Sequence, residues 1–125
     1  MATLSQRIEE QREFGEAICR AIGESIRKLG FAENHGPVGF PVFDQAEFRL
    51  VTDPYSRHDD LVGYWFDAQK QRVGQIQFHG DGGFYAEYDV LKPHPVKLDY
   101  FIDTMNAWGR KGQIKTEAQI LAMAR

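Results

Sequence analysis

The sequence predicts an α+β fold, in which a long N-terminal helix and two C-terminal helices pack with an antiparallel meander of four strands, or five with a short extra strand. Three observations predict this α-β-β-β-β-α-α order. Apolar residues recur at helical spacing before residue 30, alternate with polar ones between residues 48 and 91, and return to helical spacing after residue 98.

Composition limits the class of protein. The chain has 125 residues, 42% of them apolar, which predicts one domain over residues 1–125 with its own core. One cysteine excludes an internal disulfide, and no apolar run reaches the roughly 20 residues of a membrane helix. The net charge of −3 argues against nucleic acid as a partner. The first ten residues lack the apolar segment of a signal peptide, which favours the cytoplasm.

The first element is a helix that begins near Leu4. Thr3 and Gln6 have the spacing of a capping box, and Gly30 followed by Phe31 is typical of a helix end. One side of this helix carries the apolar residues Leu4, Ile8, Phe14, Ile18, Ile22, Ile26 and Leu29. Gly15 lies within the stripe, where the missing side chain allows close packing.

Residues 32–41 are rich in Gly and Pro and predict a loop. After it, alternation predicts four strands joined by short turns. They lie near residues 48–52, 61–66, 75–79 and 84–91, and the short fifth strand would lie near Val42 and Phe43.

The third hairpin has a predicted register. A three-residue loop, Gly80 to Gly82, places apolar residues of both strands on one face, whereas a two-residue turn would put them on opposite faces. The predicted pairs are Phe78 with Phe84, Ile76 with Ala86, Gln77 with Tyr85 and Gln75 with Glu87.

Two helices are predicted after the sheet. The first would carry a stripe of Leu98, Phe101, Ile102, Met105 and Trp108 and end at Gly109. The second would begin at a capping box of Thr116 and Gln119 and run to about Ala124.

The sheet then has an apolar face and a mixed face. The apolar face is predicted to carry Val62, Tyr64, Phe66, Ile76, Phe78, Phe84 and Tyr88. The mixed face combines amphipathic aromatics with amides and acids, which suits the binding of a ligand or partner. Its candidate binding residues are Trp65, Gln75, Gln77, His79, Tyr85, Glu87 and Asp89.

No motif indicates a metal, a cofactor or a catalytic nucleophile. The four histidines, His35, His58, His79 and His94, lack the short spacings of metal ligands, so we expect no metal and no cofactor. Cys19 lies at the edge of the helix stripe without a histidine nearby, which favours a packed thiol.

Three functions therefore compete. The first is a non-catalytic binding or interaction module that self-associates, as a homodimer that buries Trp65. The second is a small enzyme, which would require His79, Glu87 and Asp89 to converge in a cleft. The third is an acidic inhibitor or immunity-type partner of a basic target, which would require a continuous acidic surface over residues 44–60.

Overall fold

The described part of the chain folds into one long helix and a six-stranded antiparallel sheet. The computed structural model describes residues 3–31, 40–55 and 57–123. Its elements are α1 (Leu4–Lys28), β1 (Glu47–Thr52), β2 (Asp59–Phe66), β3 (Arg72–Phe78), β4 (Gly83–Pro93), β5 (Tyr100–Arg110) and β6 (Gln113–Ala122), with a 3₁₀ turn (Phe43–Gln45) before β1. Strands that follow one another in the chain are neighbours in the sheet, in the order β1-β2-β3-β4-β5-β6.

Helix α1 has the predicted ends. The Thr3 hydroxyl accepts a hydrogen bond from the backbone N–H of Gln6, and the Gln6 side chain accepts one from the N–H of Thr3, which confirms the capping box. At the other end Gly30 has a φ of 109°, and its N–H donates to the carbonyl oxygen of Arg27. The stripe is buried from Phe14 to Ile26 and packs on one face of the sheet.

Gly15 is the closest point between α1 and the chain that leads into β1. The ring of buried Phe43 lies so near that a Cβ on Gly15 would stand 2.1 Å from its Cε1 atom. The extra strand predicted near Val42 and Phe43 is therefore wrong. A 3₁₀ turn stands there instead and directs the Phe43 ring towards the helix. Most of the predicted loop, residues 32–39, lies outside the described residues.

The predicted register of the third hairpin is confirmed. Phe78 lies opposite Phe84, Ile76 opposite Ala86, Gln77 opposite Tyr85 and Gln75 opposite Glu87. Gly82 has a φ of 92°, a conformation that glycine adopts without strain. These pairs place Phe78 and Phe84 in the core and Gln77 and Tyr85 on the other face.

The predicted orientation of β2 is wrong. Leu61 pairs with Phe78 and Trp65 pairs with Gly74, so the odd-numbered residues of β2 face α1. Val62 and Tyr64 therefore lie on the opposite face. The stretch from Leu61 to Phe66 is apolar at both alternating positions, so periodicity alone does not decide which set is buried.

The two predicted C-terminal helices are wrong, because this part of the chain forms β5 and β6. A bulge between Ile102 and Thr104 inserts one extra residue into β5. Buried Ile102 and Met105 are consequently three positions apart, which imitates helical spacing. The predicted cap Thr116 lies inside β6, where its hydroxyl forms a 2.6 Å hydrogen bond with the hydroxyl of Ser25 on α1.

Every strand sends side chains into the core beneath α1 or packs against it. The cluster contains Leu61, Trp65, Ile76, Phe78, Phe84, Ala86, Tyr88, Ile102, Met105 and Ala107 from the sheet, with Phe48 and Leu50 of β1 and Ile114 and Ala118 of β6 packed against it. Across the described ranges, no helix combines the length and the hydrophobicity that a bilayer span requires.

Candidate functional site

The face of the sheet opposite α1 is the candidate site, and we call it the open face. Two rows of paired residues cross it from β1 to β6. The first row is Arg49, Val62, Gln77, Tyr85, Trp108 and Lys115, and the second is Glu47, Tyr64, Gln75, Glu87, Asn106 and Glu117. A third, shorter row is Asp89, Thr104 and Gln119. The buried face of α1 packs on the other side of the sheet.

Five of the seven predicted binding residues lie together on the open face: Gln75, Gln77, Tyr85, Glu87 and Asp89. Their pairing follows from the confirmed register of the third hairpin. His79 lies at the end of β3, where its backbone N–H donates to the carbonyl oxygen of Gly83.

Trp65 is separated from the other predicted residues. It is 1% exposed, its indole N–H donates to the carbonyl oxygen of Val42 at 2.9 Å, and its ring meets Tyr88 edge-on. Trp65 is therefore buried within a single chain. The homodimer stays a prediction, but it does not need to shield Trp65, which was the reason for expecting it.

The buried side chain of Asp60 positions its neighbours on the β2–β3 side of the open face. Asp60 is 4% exposed, and its Oδ2 accepts a 2.9 Å hydrogen bond from the side-chain amide of Gln77. The Nδ1 atom of His79 lies 3.6 Å from the same oxygen. On the neighbouring side, the guanidinium groups of Arg49 and Arg72 lie over the ring of Tyr64. These contacts fix the side chains of this half before any partner binds.

The Tyr85 side chain links β4 to β5 on the open face. Its hydroxyl lies 3.3 Å from Oε2 of Glu87 and 3.2 Å from Oδ1 of Asn106, both within reach as acceptors. Burial raises the pKa of Tyr85, and the charge of Glu87 raises it further, so the hydroxyl keeps its proton and donates. Next to it in the same row, Trp108 is 36% exposed. The open face thus presents two fixed aromatic side chains, Tyr64 and Tyr85, and an accessible one, Trp108.

Carboxylates gather on the β4–β6 side. Glu87, Asp89 and Glu117 of the second and third rows lie there, Glu47 lies at the β1 end, and neither row contains lysine or arginine. Burial raises the pKa of Asp89 above its ordinary value of 3.8, and the charges of Glu87 and Asp103 raise it further, whereas a hydrogen bond from Thr104 and the charge of Arg72 oppose the shift. We call Glu87, Asp89, Asp103 and Glu117 the acidic patch. In the unbound protein the charges of Glu87 and Asp103 repel that of Asp89.

The raised pKa of Asp89 predicts that Asp89→Asn stabilises the protein at neutral pH. The folded state binds the Asp89 proton more tightly than the unfolded state does, so this carboxyl costs stability as pH rises through its folded pKa. Below the ordinary value of 3.8 both states are protonated and the cost disappears. Urea midpoints should show the variant above the native protein at pH 7, with the difference shrinking towards pH 3.5. Glu13→Gln on the exposed side of α1 is the control, and an equal gain there would contradict the assignment.

The groups required for the enzyme alternative do not converge. Since His79 is level with Gly83, Glu87 lies four residues further along β4 and Asp89 six. At about 3.3 Å per residue these positions are roughly 13 and 20 Å away along the strand. Among the described residues, no group of three or more His, Cys, Asp or Glu side chains is arranged to hold a metal ion.

Other polar groups named by the sequence have structural contacts. His94 is 7% exposed, and its Nδ1 accepts hydrogen bonds from the N–H groups of Val96 and Lys97. Asp81 accepts from the N–H of Gly83. Burial raises the pKa of the Cys19 thiol to about 12, so it stays protonated at neutral pH and is no nucleophile.

Several cavities lie outside the acidic patch. A groove of about 510 Å³ runs between α1 and residues 40–44 and is lined by Cys19, Gly23 and Phe40 among others. Another pocket, of about 350 Å³, opens at the end of the open face between Trp108, Lys115 and Arg110. Arg110 is engaged there by Asp81, whose backbone oxygen accepts a 2.8 Å hydrogen bond from it. The second pocket extends the open face past the first row.

Comparisons with family models, with curated proteins and with solved structures gave no match for this chain. The site therefore rests on its own geometry.

Six of the fifteen residues in the three rows belong to β5 and β6, which were predicted as helices, so the sequence interpretation missed them. They are Thr104, Asn106, Trp108, Lys115, Glu117 and Gln119. A signal for them exists. From Ile114 to Ile120, apolar or small residues alternate with polar ones at every position, and Gly109 to Gly112 has the composition of a hairpin turn.

Proposed function

We propose that this protein is a non-catalytic binding module whose open face holds a protein partner through lysine or arginine side chains of that partner. The observation that supports this most strongly is the pairing of six strands. One face of the sheet packs against α1. The other face carries amphipathic aromatic side chains and carboxylates that no element of the described chain covers. Interfaces favour such aromatics because each offers contact area and a polar group.

The electrostatics of the acidic patch support a cationic partner. Burial is the main cause of the raised pKa of Asp89, and repulsion from the charges of Glu87 and Asp103 adds to it. A positive group placed between these three carboxylates would offset the repulsion. Trp108 lies on the adjoining strand and would contact the apolar stem of that group, and Glu117 would add a further negative charge.

The two alternatives have less support. The enzyme hypothesis needs His79 near Glu87 and Asp89, and the register separates them. The inhibitor hypothesis needs a continuous acidic surface over residues 44–60. Of the acids there, Asp60 is buried and Asp44 contacts Arg12. A basic partner is retained, but on β4–β6.

Titration with a tetralysine peptide tests the proposal. We expect amide NMR shifts to change on the open face of β4, β5 and β6 and to stay constant along α1, because the acidic patch supplies the attraction. Tetraglutamate should cause no change. The paired variant Glu87→Gln with Glu117→Gln should weaken tetralysine binding about fivefold or more.

The matched control removes the same net charge from the helix side. Glu10 and Glu24 are exposed on α1, so Glu10→Gln with Glu24→Gln should leave the tetralysine affinity unchanged. Equal weakening by both pairs would show attraction to net charge alone and would defeat the proposal. Shifts centred on α1 would defeat it as well.

A further inference from the structure

We propose that β6 pairs edge to edge with β6 of a second copy of this chain, around a twofold axis at Thr116. β6 is the last strand of the sheet, spans Gln113–Ala122, and within the described residues pairs only with β5. Its outer backbone groups are therefore a template for another strand. The backbone pairing uses the edge of the sheet, but Glu117 belongs both to the acidic patch and to the proposed contact between copies. The Lys115 variant and the cysteine test at Thr116 therefore separate this proposal from the cationic partner.

The sequence of β6 is self-complementary at one register. Side chains of paired antiparallel residues must share a face, so a twofold axis has to pass through a residue and not between two. An axis at Thr116 places Lys115 opposite Glu117 of the second copy, and Glu117 opposite its Lys115. Both side chains lie on the open face, and neither contacts an oppositely charged group in its own described chain. An axis at Glu117 would instead oppose two like charges.

The same register accounts for apolar exposure at the end of β6. Ile120 is 43% exposed, and the axis at Thr116 brings it beside Gly112 in the hairpin turn of the second copy, one position beyond the paired residues. A Cβ built on Gly112 meets no atom within 4 Å, so space is open there for the Ile120 side chain. Charge pairing and burial of Ile120 thus point to one geometry.

The other edge strand is less suited to this pairing. β1 has six residues, and an axis at Phe48 would also pair Glu47 with Arg49. With that axis only three residues of each β1 strand would pair, because β1 begins one residue before Phe48. The axis at Thr116 pairs seven residues of each β6 strand. Arg49 is moreover held over the ring of Tyr64, with 4.5 Å between its guanidinium carbon and the ring centre. The longer overlap of β6, and the charges of Lys115 and Glu117 that pair with no oppositely charged group of the described chain, favour β6 over β1.

Charge reversal tests the register directly. A seven-residue strand contact is smaller than a standard interface of about 1,600 Å², so we expect a weak dimer with a Kd on the order of 10–100 µM by sedimentation equilibrium. Lys115→Glu and Glu117→Lys should each raise the Kd about tenfold, since each creates two like-charged pairs. The double variant Lys115→Glu with Glu117→Lys should restore the native Kd.

A second measurement does not depend on charge. Residues on the axis meet their own copies, so Thr116→Cys should form an intermolecular disulfide under mild oxidation, whereas Ala118→Cys should not. Buried Cys19 does not compete. Thermal melts of each variant establish that the fold is retained. A native protein that is monomeric at 1 mM, a double variant that stays monomeric, or cross-linking at residue 118 in place of 116 would overturn the proposal.

Discussion

Trp65→Ala should destabilise the protein by about 3–5 kcal/mol, the usual cost of deleting a large buried aromatic side chain. The indole is 1% exposed, packs edge-on against Tyr88 and donates to the carbonyl oxygen of Val42, so the substitution leaves a cavity and an unpaired acceptor. Whole-protein stability is only about 5–15 kcal/mol for a domain. We therefore expect the urea midpoint to fall by about 2 M.

The second tryptophan is the matched control. Trp108 lies on the open face and is 36% exposed, so Trp108→Ala should cost about 1 kcal/mol or less. If both substitutions cost the same, the assignment of the two sheet faces is wrong. If Trp65→Ala converts a dimer into a folded monomer, Trp65 belongs to an interface and not to the core.

Gly109→Ala should cost about 3 kcal/mol. Gly109 has a φ of 131°, and a Cβ there would stand 2.0 Å from the carbonyl oxygen of Gln113 across the β5–β6 hairpin. Forcing alanine into such a conformation costs about 1–3 kcal/mol, and the clash with a backbone atom adds a displacement of the strand. Denaturant unfolding measures the total.

Gly112 in the same hairpin separates these two causes. Its φ is 85°, but a Cβ there meets nothing within 4 Å. Gly112→Ala should therefore show only the conformational cost, about 1–2 kcal/mol. Equal losses at the two glycines would mean that contact with Gln113 contributes nothing.

The N-terminal helix and the third hairpin could be predicted because their signals are local. The capping box of Thr3 and Gln6 needs four residues, and the Phe78–Phe84 register needs one turn and the alternation beside it. Each feature is decided by neighbours in the chain.

The C-terminal half could not be predicted in this way, because a bulge changes the period of β5. The extra residue at Asp103 sets Ile102 and Met105 at a helical interval. The exposed side chains Leu98 and Trp108 then complete an apparent helical stripe, although they belong to no common face of the core. Tertiary pairing with β4 overrides that local pattern.

The placement of the candidate site's residues was predicted correctly in one part and wrongly in another. Gln75, Gln77, Tyr85, Glu87 and Asp89 were placed together through the third hairpin, whereas Trp65 was misplaced because β2 is apolar at both alternating positions. Which set of β2 is buried depends on where α1 packs. That choice is set by contacts far apart in the chain.

The contact between Ser25 and Thr116 joins residues 91 positions apart, and this separation has a consequence during synthesis. A ribosome adds about 5–20 residues per second, so on the order of 5–20 s pass between the two residues. For most of that interval α1 is already made, while β5 and β6, the two strands that contact it most, are incomplete. A nascent chain that stops before β5 lacks both strands, so part of the apolar stripe of α1 would be exposed and open to aggregation.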